Sequence, residues 1–220
     1  MVATDEDVTP RGPRSRKGAR TRARLVEAGK QVFAAQGLVD ARIADIAAAA
    51  GVSYGTFYTY FDSKEELFRE VAAEVGQRLR APVDEVIYAR GSTVAPEDRI
   101  REAILRHFTT YREEAGLLRA IEQAERLDEE VGAARELWRR KDNGDVAGSI
   151  RLLQRRGLAD PALDADVAAA ALGAMTYTFA ERWLAHGSLD IDFDVGVDTV
   201  TRLFVNALGL GARRQADGGA

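Results

Sequence analysis

The sequence has no cysteine in its 220 residues, which excludes disulfides, zinc-thiolate sites and cysteine nucleophiles. It has only two histidines, His107 and His186, and no H-E-x-x-H spacing, so little remains for a catalytic zinc site or a Ser-His-Asp triad. Phosphate-cradling loops of the G-x-x-x-x-G-K-[ST] kind are absent, as is G-x-G-x-x-G after a strand. Paired carboxylates such as Glu129 and Glu130 read as solvated helix surface. These absences weigh against an enzyme, and no cofactor or metal is expected. The opening stretch MVATDEDVTPRGPRSRKG holds no apolar core for a signal peptide. The most apolar later run, near residues 167–180, is too short and too alanine-rich to span a bilayer. A soluble, cytoplasmic protein is the expectation. Nothing alternates at period two long enough for a strand, and there is no repeat or heptad array.

What is present is a segregation of charge beneath a net value of −4. Residues 11–64 hold ten Arg/Lys against four Asp/Glu, whereas residues 65–220 are net acidic. Residues 11–24 alone carry seven basic side chains and no acid. Such a cluster is either a solvated face or a footprint for phosphate, and charge alone does not choose between them. Residues 1–18, with nothing to bury, are expected to form a disordered basic arm, and residues 213–220 a disordered tail.

Between these ends the periodicity is helical. Leu25, Ala28, Gly29, Val32, Phe33 and Gln36 share one face, and Gly37 is placed to end that helix. Ile43, Ile46, Ala47 and Ala50 repeat the pattern after Asp40, a candidate N-cap, until Gly51 interrupts. Ser53 is placed to cap a third short helix reaching Tyr60, and Ser63-Lys64-Glu65-Glu66 forms a capping box for a longer helix through Val75. Two short helices around the turn AGVS match a helix-turn-helix. Farther on, residues 91–95 read as loop and Pro96 as a first-turn proline. Ile100, Ile104, Phe108 and Tyr111 then form one helix face, with further helices near residues 116–127, 129–156, 164–186 and 194–210. The fold class is therefore all-α, with an N-terminal helix-turn-helix domain over residues 19–80 and a larger helical domain over residues 81–212.

The stretch GVSYGTFYTYF places five of the chain's sixteen aromatics between Tyr54 and Phe61. At about 100° per residue from Tyr54, Phe57 falls near 300° and Phe61 near 340°, which aims both at the core. Tyr58 and Tyr60 flank that stripe, where a ring leans on the core while its hydroxyl reaches solvent or a phosphate. Gly55, Thr56 and Thr59, all small, lie opposite. The wheel alone puts Tyr54 near the core side. Two late helices, around residues 167–180 and 197–208, are apolar over more than one stripe. Each is either a central core helix or one that faces the core on one side and a second copy of the chain on the other.

The run from Arg20 to Val75, above all DIAAAAGVSYGTFYTYFDSKEELF, resembles the DNA-binding domain of the tetracycline-repressor (TetR) family of transcriptional regulators. The resemblance covers roughly a quarter of the chain. It implies that Tyr54, Gly55 and Thr56 meet base edges or the adjacent backbone, that Tyr58, Tyr60 and Lys64 clamp phosphates, and that Ser53 caps the third helix beside a phosphate. Where the family commonly opens its second helix with Thr or Ser, this chain has Arg42, which could make a charge-assisted contact to a phosphate, the favoured reading, or to a guanine. The basic run from Arg11 to Arg24 would then lie along the DNA backbone or enter a minor groove. The resemblance further implies a dimeric, ligand-responsive repressor on a pseudo-palindromic operator, paired through the helices near residues 164–186 and 194–210. A small, hydrophobic effector would sit among His107, Phe108, Tyr111, Trp138, Tyr177, Phe179 and Trp183, residues whose helical spacing equally suits ordinary core. The alternatives are a DNA-binding protein without an effector and an all-helical enzyme or adaptor.

Overall fold

The computed structural model describes residues 16–82 and 94–210. Nine α-helices and no strand occur among the described residues: α1 Arg16–Asp40, α2 Ile43–Ala49, α3 Tyr54–Phe57, α4 Lys64–Pro82, α5 Pro96–Glu113, α6 Ala115–Glu125, α7 Glu129–Arg155, α8 Ala165–Ala180 and α9 Phe193–Ala207. None of them is long and apolar enough to cross a membrane. The expected arm up to residue 15, the tail 213–220 and the loop residues 91–93 lie outside the described residues.

The first three helices and the start of α4 form a head around Leu25, Phe33, Ile46, Phe57, Phe61, Leu67 and Phe68, all essentially buried. Phe33 and Phe68 meet edge to face at 5.0 Å. α1 also leans on α6, and α4 runs onward against α5 and α7, so the two helices that frame the head also join it to the body. The expected domain boundary at residue 80 falls inside α4, because one apolar face, Leu67, Phe68, Val71, Val75 and Leu79, packs without interruption.

Local chemistry explains most of the helix ends. Gly37 breaks α1 with φ 75°, as expected of a C-terminal glycine, yet a short turn runs on to Asp40. Asp40 is not the cap of α2. Arg42 holds that position and makes no side-chain cap bond. α1 begins at Arg16, so the last residues of the expected disordered arm are helical. α3 stops at Phe57 and passes through turns to Tyr60, shorter than expected. At the start of α4, Ser63 Oγ accepts from Glu66 N (3.1 Å), while the Glu66 carboxylate accepts from Asp62 N (2.6 Å) rather than from the cap residue. α8 continues into a π-helical turn, Glu181–Ala185, closed by His186 N donating to Glu181 O (2.9 Å).

α8 is not a central core helix. It buries one stripe, Ala165, Ala169, Leu172, Thr176 and Ala180. Its opposite stripe, Val167, Ala170, Ala171, Ala174 and Thr178, is exposed. On α9, Val197 and Val200 turn inward while Val195 and Leu203 are exposed.

The joint between head and body is tight. A Cβ on Gly116 of α6 would lie 2.8 Å from the Ala34 carbonyl of α1, and backbone cannot yield as a side-chain tip does. Beside it the buried Glu114 carboxylate takes Lys30 of α1 (2.9 Å) and Arg78 of α4. Gly116→Ala is therefore expected to cost about 1–3 kcal/mol through overpacking, read as a lower midpoint in urea unfolding.

Candidate nucleic-acid interface and body cavity

α3 is held in place from both ends. Gly51 turns the chain with φ 61°, a conformation that side chains disfavour, and Arg24 of α1 donates to the carbonyls of Ala50 and Gly51 (3.1 Å to the latter). Ser53 caps the helix, its Oγ accepting from Thr56 N (3.2 Å) and meeting Thr56 Oγ1 at 2.8 Å. Phe57 and Phe61 are the anchors, 0% and 1% exposed, with ring centroids 5.8 Å apart.

The opposite face is open. Tyr54 is 55% and Tyr58 43% exposed, and a Cβ on Gly55 would meet nothing within 4 Å. The two tyrosine hydroxyls lie 3.2 Å apart and their rings 5.4 Å apart. The hydrogen bond with Tyr54 raises the Tyr58 phenol above its ordinary pKa, so it stays a neutral donor. Thr59 and Arg42 are also exposed, whereas Thr56 and Tyr60 are half-buried. Tyr54 escapes the core side that a helical wheel gives it because it is the first residue of a four-residue helix and has no earlier turn to lean on.

Several basic residues serve the head itself. Lys64 Nζ donates to the carbonyls of Leu38 (2.8 Å), Val39 (2.8 Å) and Ala41 (2.9 Å), so all three ammonium protons meet the chain where α1 ends and α2 approaches. Arg22 pairs with Glu70 and lies 4.8 Å from the centre of the Phe61 ring. From the basic run, Arg16, Lys17 and Arg20 stay exposed along α1, on a helix rather than a loose arm.

In the body, a cavity of about 120 Å³ is lined from α4, α5, α7, α8 and α9. Of the seven aromatic or histidine candidates, only His107 and Tyr177 line it. Tyr111, Trp138 and Tyr177 line a smaller space of about 20 Å³. Phe108, Phe179 and Trp183 pack on one another and on Phe193 at ring distances of 5.2–6.0 Å. Trp183 Nε1 donates to the Ile191 carbonyl (3.1 Å). The cavity wall is mainly aliphatic, with Ile100, Ala103, Ile104, Val146, Ile150 and Leu153 among its members.

Sequence reading missed Asp142, a buried carboxylate on that wall that accepts from Arg80 Nε (2.9 Å) and from the Tyr177 hydroxyl. Burial pushes its pKa up, against the pull of the Tyr177 hydrogen bond and the Arg80 charge. No motif marks it; only the packing of α4, α7 and α8 brings the three groups together. On the far side of the body, donor atoms of Glu122, Glu181 and His186 lie within 4.8 Å of one another. His186 Nε2 meets Glu122 at 2.7 Å, and Arg126 and Arg135 approach the two carboxylates at 3.5 and 3.9 Å. The group is thus a charge-balanced network joining α6, α7 and the π turn.

A short exposed helix, preceded by a glycine turn and anchored by two buried rings, defines a helix-turn-helix DNA-binding protein with a larger helical body. Comparison with known proteins makes this specific. The family described as "Bacterial regulatory proteins, tetR family" matches residues 25–71. The chain is 30% identical over 190 residues to the HTH-type transcriptional regulator TtgR of Pseudomonas putida, across 81% of this chain and 89% of that one. It is 26% identical over 200 residues to the HTH-type transcriptional repressor BepR of Brucella suis, across 87% and 93%. Several other matches are short, 53 to 80 residues, and cover as little as 25% of the relative's own length. Among solved structures, Salmonella enterica GusR superposes with a TM-score of 0.71 at 21% identity, covering 90% of this chain and all of that one. The chain belongs to the tetR family and is a DNA-binding transcriptional regulator; the family is one of regulators, not enzymes.

Within the head, Lys64 and Tyr58 separate structural from surface roles. Lys64→Met leaves a cluster of carbonyls without their donor and is expected to lower stability by about 1–3 kcal/mol. Tyr58→Phe, at an exposed hydroxyl, should stay within about 0.5 kcal/mol of the parent. Urea unfolding of the two variants side by side measures the contrast.

Proposed function

We propose that the protein is a cytoplasmic, ligand-responsive repressor that binds a pseudo-palindromic operator as a homodimer and leaves it when a small, mainly apolar effector occupies the body cavity. The exposed face of α3 carries this reading. Tyr54 and Gly55, at the helix N-terminus, enter the major groove and meet base edges or adjacent backbone, with Thr56 behind them. Tyr58, Tyr60 and Arg42 hold phosphates on either side, and Ser53 lies where a phosphate meets the capped N-terminus. Lys64 contributes its charge and fixes the start of α2 rather than offering a free N–H. The repressor direction draws on the relative named a repressor.

Dimerisation through α8 and α9 is supported by the exposed stripe of Val167, Ala170, Ala171, Ala174 and Thr178 on α8 and by exposed Val195 and Leu203 on α9. Small side chains on that stripe let a second copy approach closely, and burying the valines and leucine removes apolar surface from water. Two recognition helices would then reach half-sites about 34 to 36 Å apart or somewhat more, one turn of duplex. The cavity favours an effector over a DNA-binding protein without one.

Selecting bound DNA from a random pool tests DNA recognition, symmetry and spacing together: recovery of an inverted repeat supports the reading, and recovery of no shared sequence ends it. On the selected operator, Arg42→Ala should flatten the plot of log affinity against log salt by about 0.9 per half-site. Tyr58→Phe, which removes an uncharged donor, should weaken binding at unchanged slope. Ala174→Arg places charge in the pairing stripe; sedimentation should show monomers that no longer hold the operator.

A further inference from the structure

His107 sits on α5 in the cavity wall with 9% of its surface exposed. Its ring makes a hydrogen bond to the Leu79 carbonyl of α4. Its Nε2 is buried and has no hydrogen-bond partner, so the bond to Leu79 runs from Nδ1–H. Burial lowers its pKa to about 4, against the Leu79 bond, and the imidazole is neutral. A neutral ring that donates through Nδ1 presents Nε2 as an acceptor. The ring lines the larger cavity and not the smaller one.

Three further observations narrow what it accepts. The neighbouring hydroxyls are engaged: Thr176 Oγ1 donates to Leu172 O (2.8 Å) and Ser149 Oγ to Asp145 O (3.2 Å). Asp142 and Arg99 both line the wall, and Asp142 is matched by Arg80 (2.9 Å); an incoming anion is disfavoured because it would shed its hydration in a mainly aliphatic cavity. A volume of about 120 Å³ is close to that of engineered apolar cavities of about 150 Å³ that hold one benzene ring.

We propose that the cavity binds a small, uncharged aromatic molecule carrying one hydroxyl, of the one-ring phenol class, which donates its hydrogen bond to His107 Nε2. This deepens, and rests on, the reading of the protein as a ligand-responsive regulator. His107 joins the ligand to α4, because the nitrogen opposite the ligand is the one bonded to Leu79. A second polar tie, Arg80 to Asp142, fastens the same turn of α4 to the cavity wall.

The test is titration calorimetry of the full chain with phenol, anisole and benzoate, followed by operator binding with each. Anisole keeps the ring and lacks the donor. It leaves Nε2 as unpartnered as in the free protein, so only the net worth of one hydrogen bond is lost, about tenfold in affinity. The expected order is phenol about tenfold tighter than anisole, with benzoate not binding. In His107→Phe that preference should vanish, so that phenol and anisole bind alike. In Ala103→Leu, which adds bulk to the cavity wall one helical turn from His107, both should be lost. Circular dichroism checks that each variant is folded. Equal binding of phenol and anisole to the parent chain, a preference that survives in His107→Phe, or no binding of either ring overturns the assignment of this site. If phenol binds in the expected order but leaves the operator complex unchanged, the site stands and the ligand-release reading falls.

Discussion

The arrangement of the whole molecule depends on how α4 is held. At its first residue, Lys64 grips the carbonyls at the end of α1. Near its far end, Arg78 meets the buried Glu114 that also holds Lys30 of α1. One residue later Leu79 accepts from His107, and Arg80 reaches Asp142. Nineteen helical residues make a strut of about 28 Å. Its hydrogen bonds make it stiffer than the loops it joins. Polar bonds at both ends, with apolar packing between them, also set the geometry more narrowly than burial alone would, because a hydrogen bond fails over a few tenths of an ångström.

Much of this was legible in the sequence. The helices of the body follow from periodicity to within about three residues once the π turn is counted with α8; the caps Asp128 and Asp164, which bond the first amides of α7 and α8, were not read. Phe57 and Phe61 follow from the helical wheel because a buried pair one turn apart is what a wheel describes. Tyr54 does not, since a wheel assumes helix on both sides of a residue. Asp40 was a chemically reasonable cap, but the extra turn after Gly37 moves the start of α2 past it. The continuity of α4 was not read because the DNA-binding resemblance ends near Val75, although the apolar face of α4 runs on unbroken to Leu79.

The cavity was the least legible part, for a physical reason. Large rings at helical spacing attract attention, yet large rings fill space and seek one another, which is what Phe108, Phe179, Trp183 and Phe193 do. Space is left where side chains are short, at Ala103, Ser149 and Gly173, and short side chains leave no mark in a sequence. The polar groups around it, from α4, α5, α7 and α8, are separated by up to about a hundred residues and have no common spacing. His107, which neighbours Ile104 and Phe108 on one helix face, does lie on the wall.

Charge in the head carries a further distinction that counting residues cannot make. Arg22 and Lys30 face carboxylates, so their positive charge is largely offset within the fold. Arg24 and Lys64 instead bond to neutral carbonyls. The three Lys64 donors are occupied and Arg24 commits its Nη2, while neither charge is cancelled, and a surface charge acts over about a Debye length, roughly 8 Å at physiological salt. Lys64 therefore adds to the field around the head without a free N–H to contact a partner. In the proposed function, contact falls to Arg42, to the exposed cations of α1 and to the uncharged tyrosines, so attraction and grip rest on different side chains. Salt weakens the first far more than the second, because hydrogen bonds from neutral hydroxyls release few counterions.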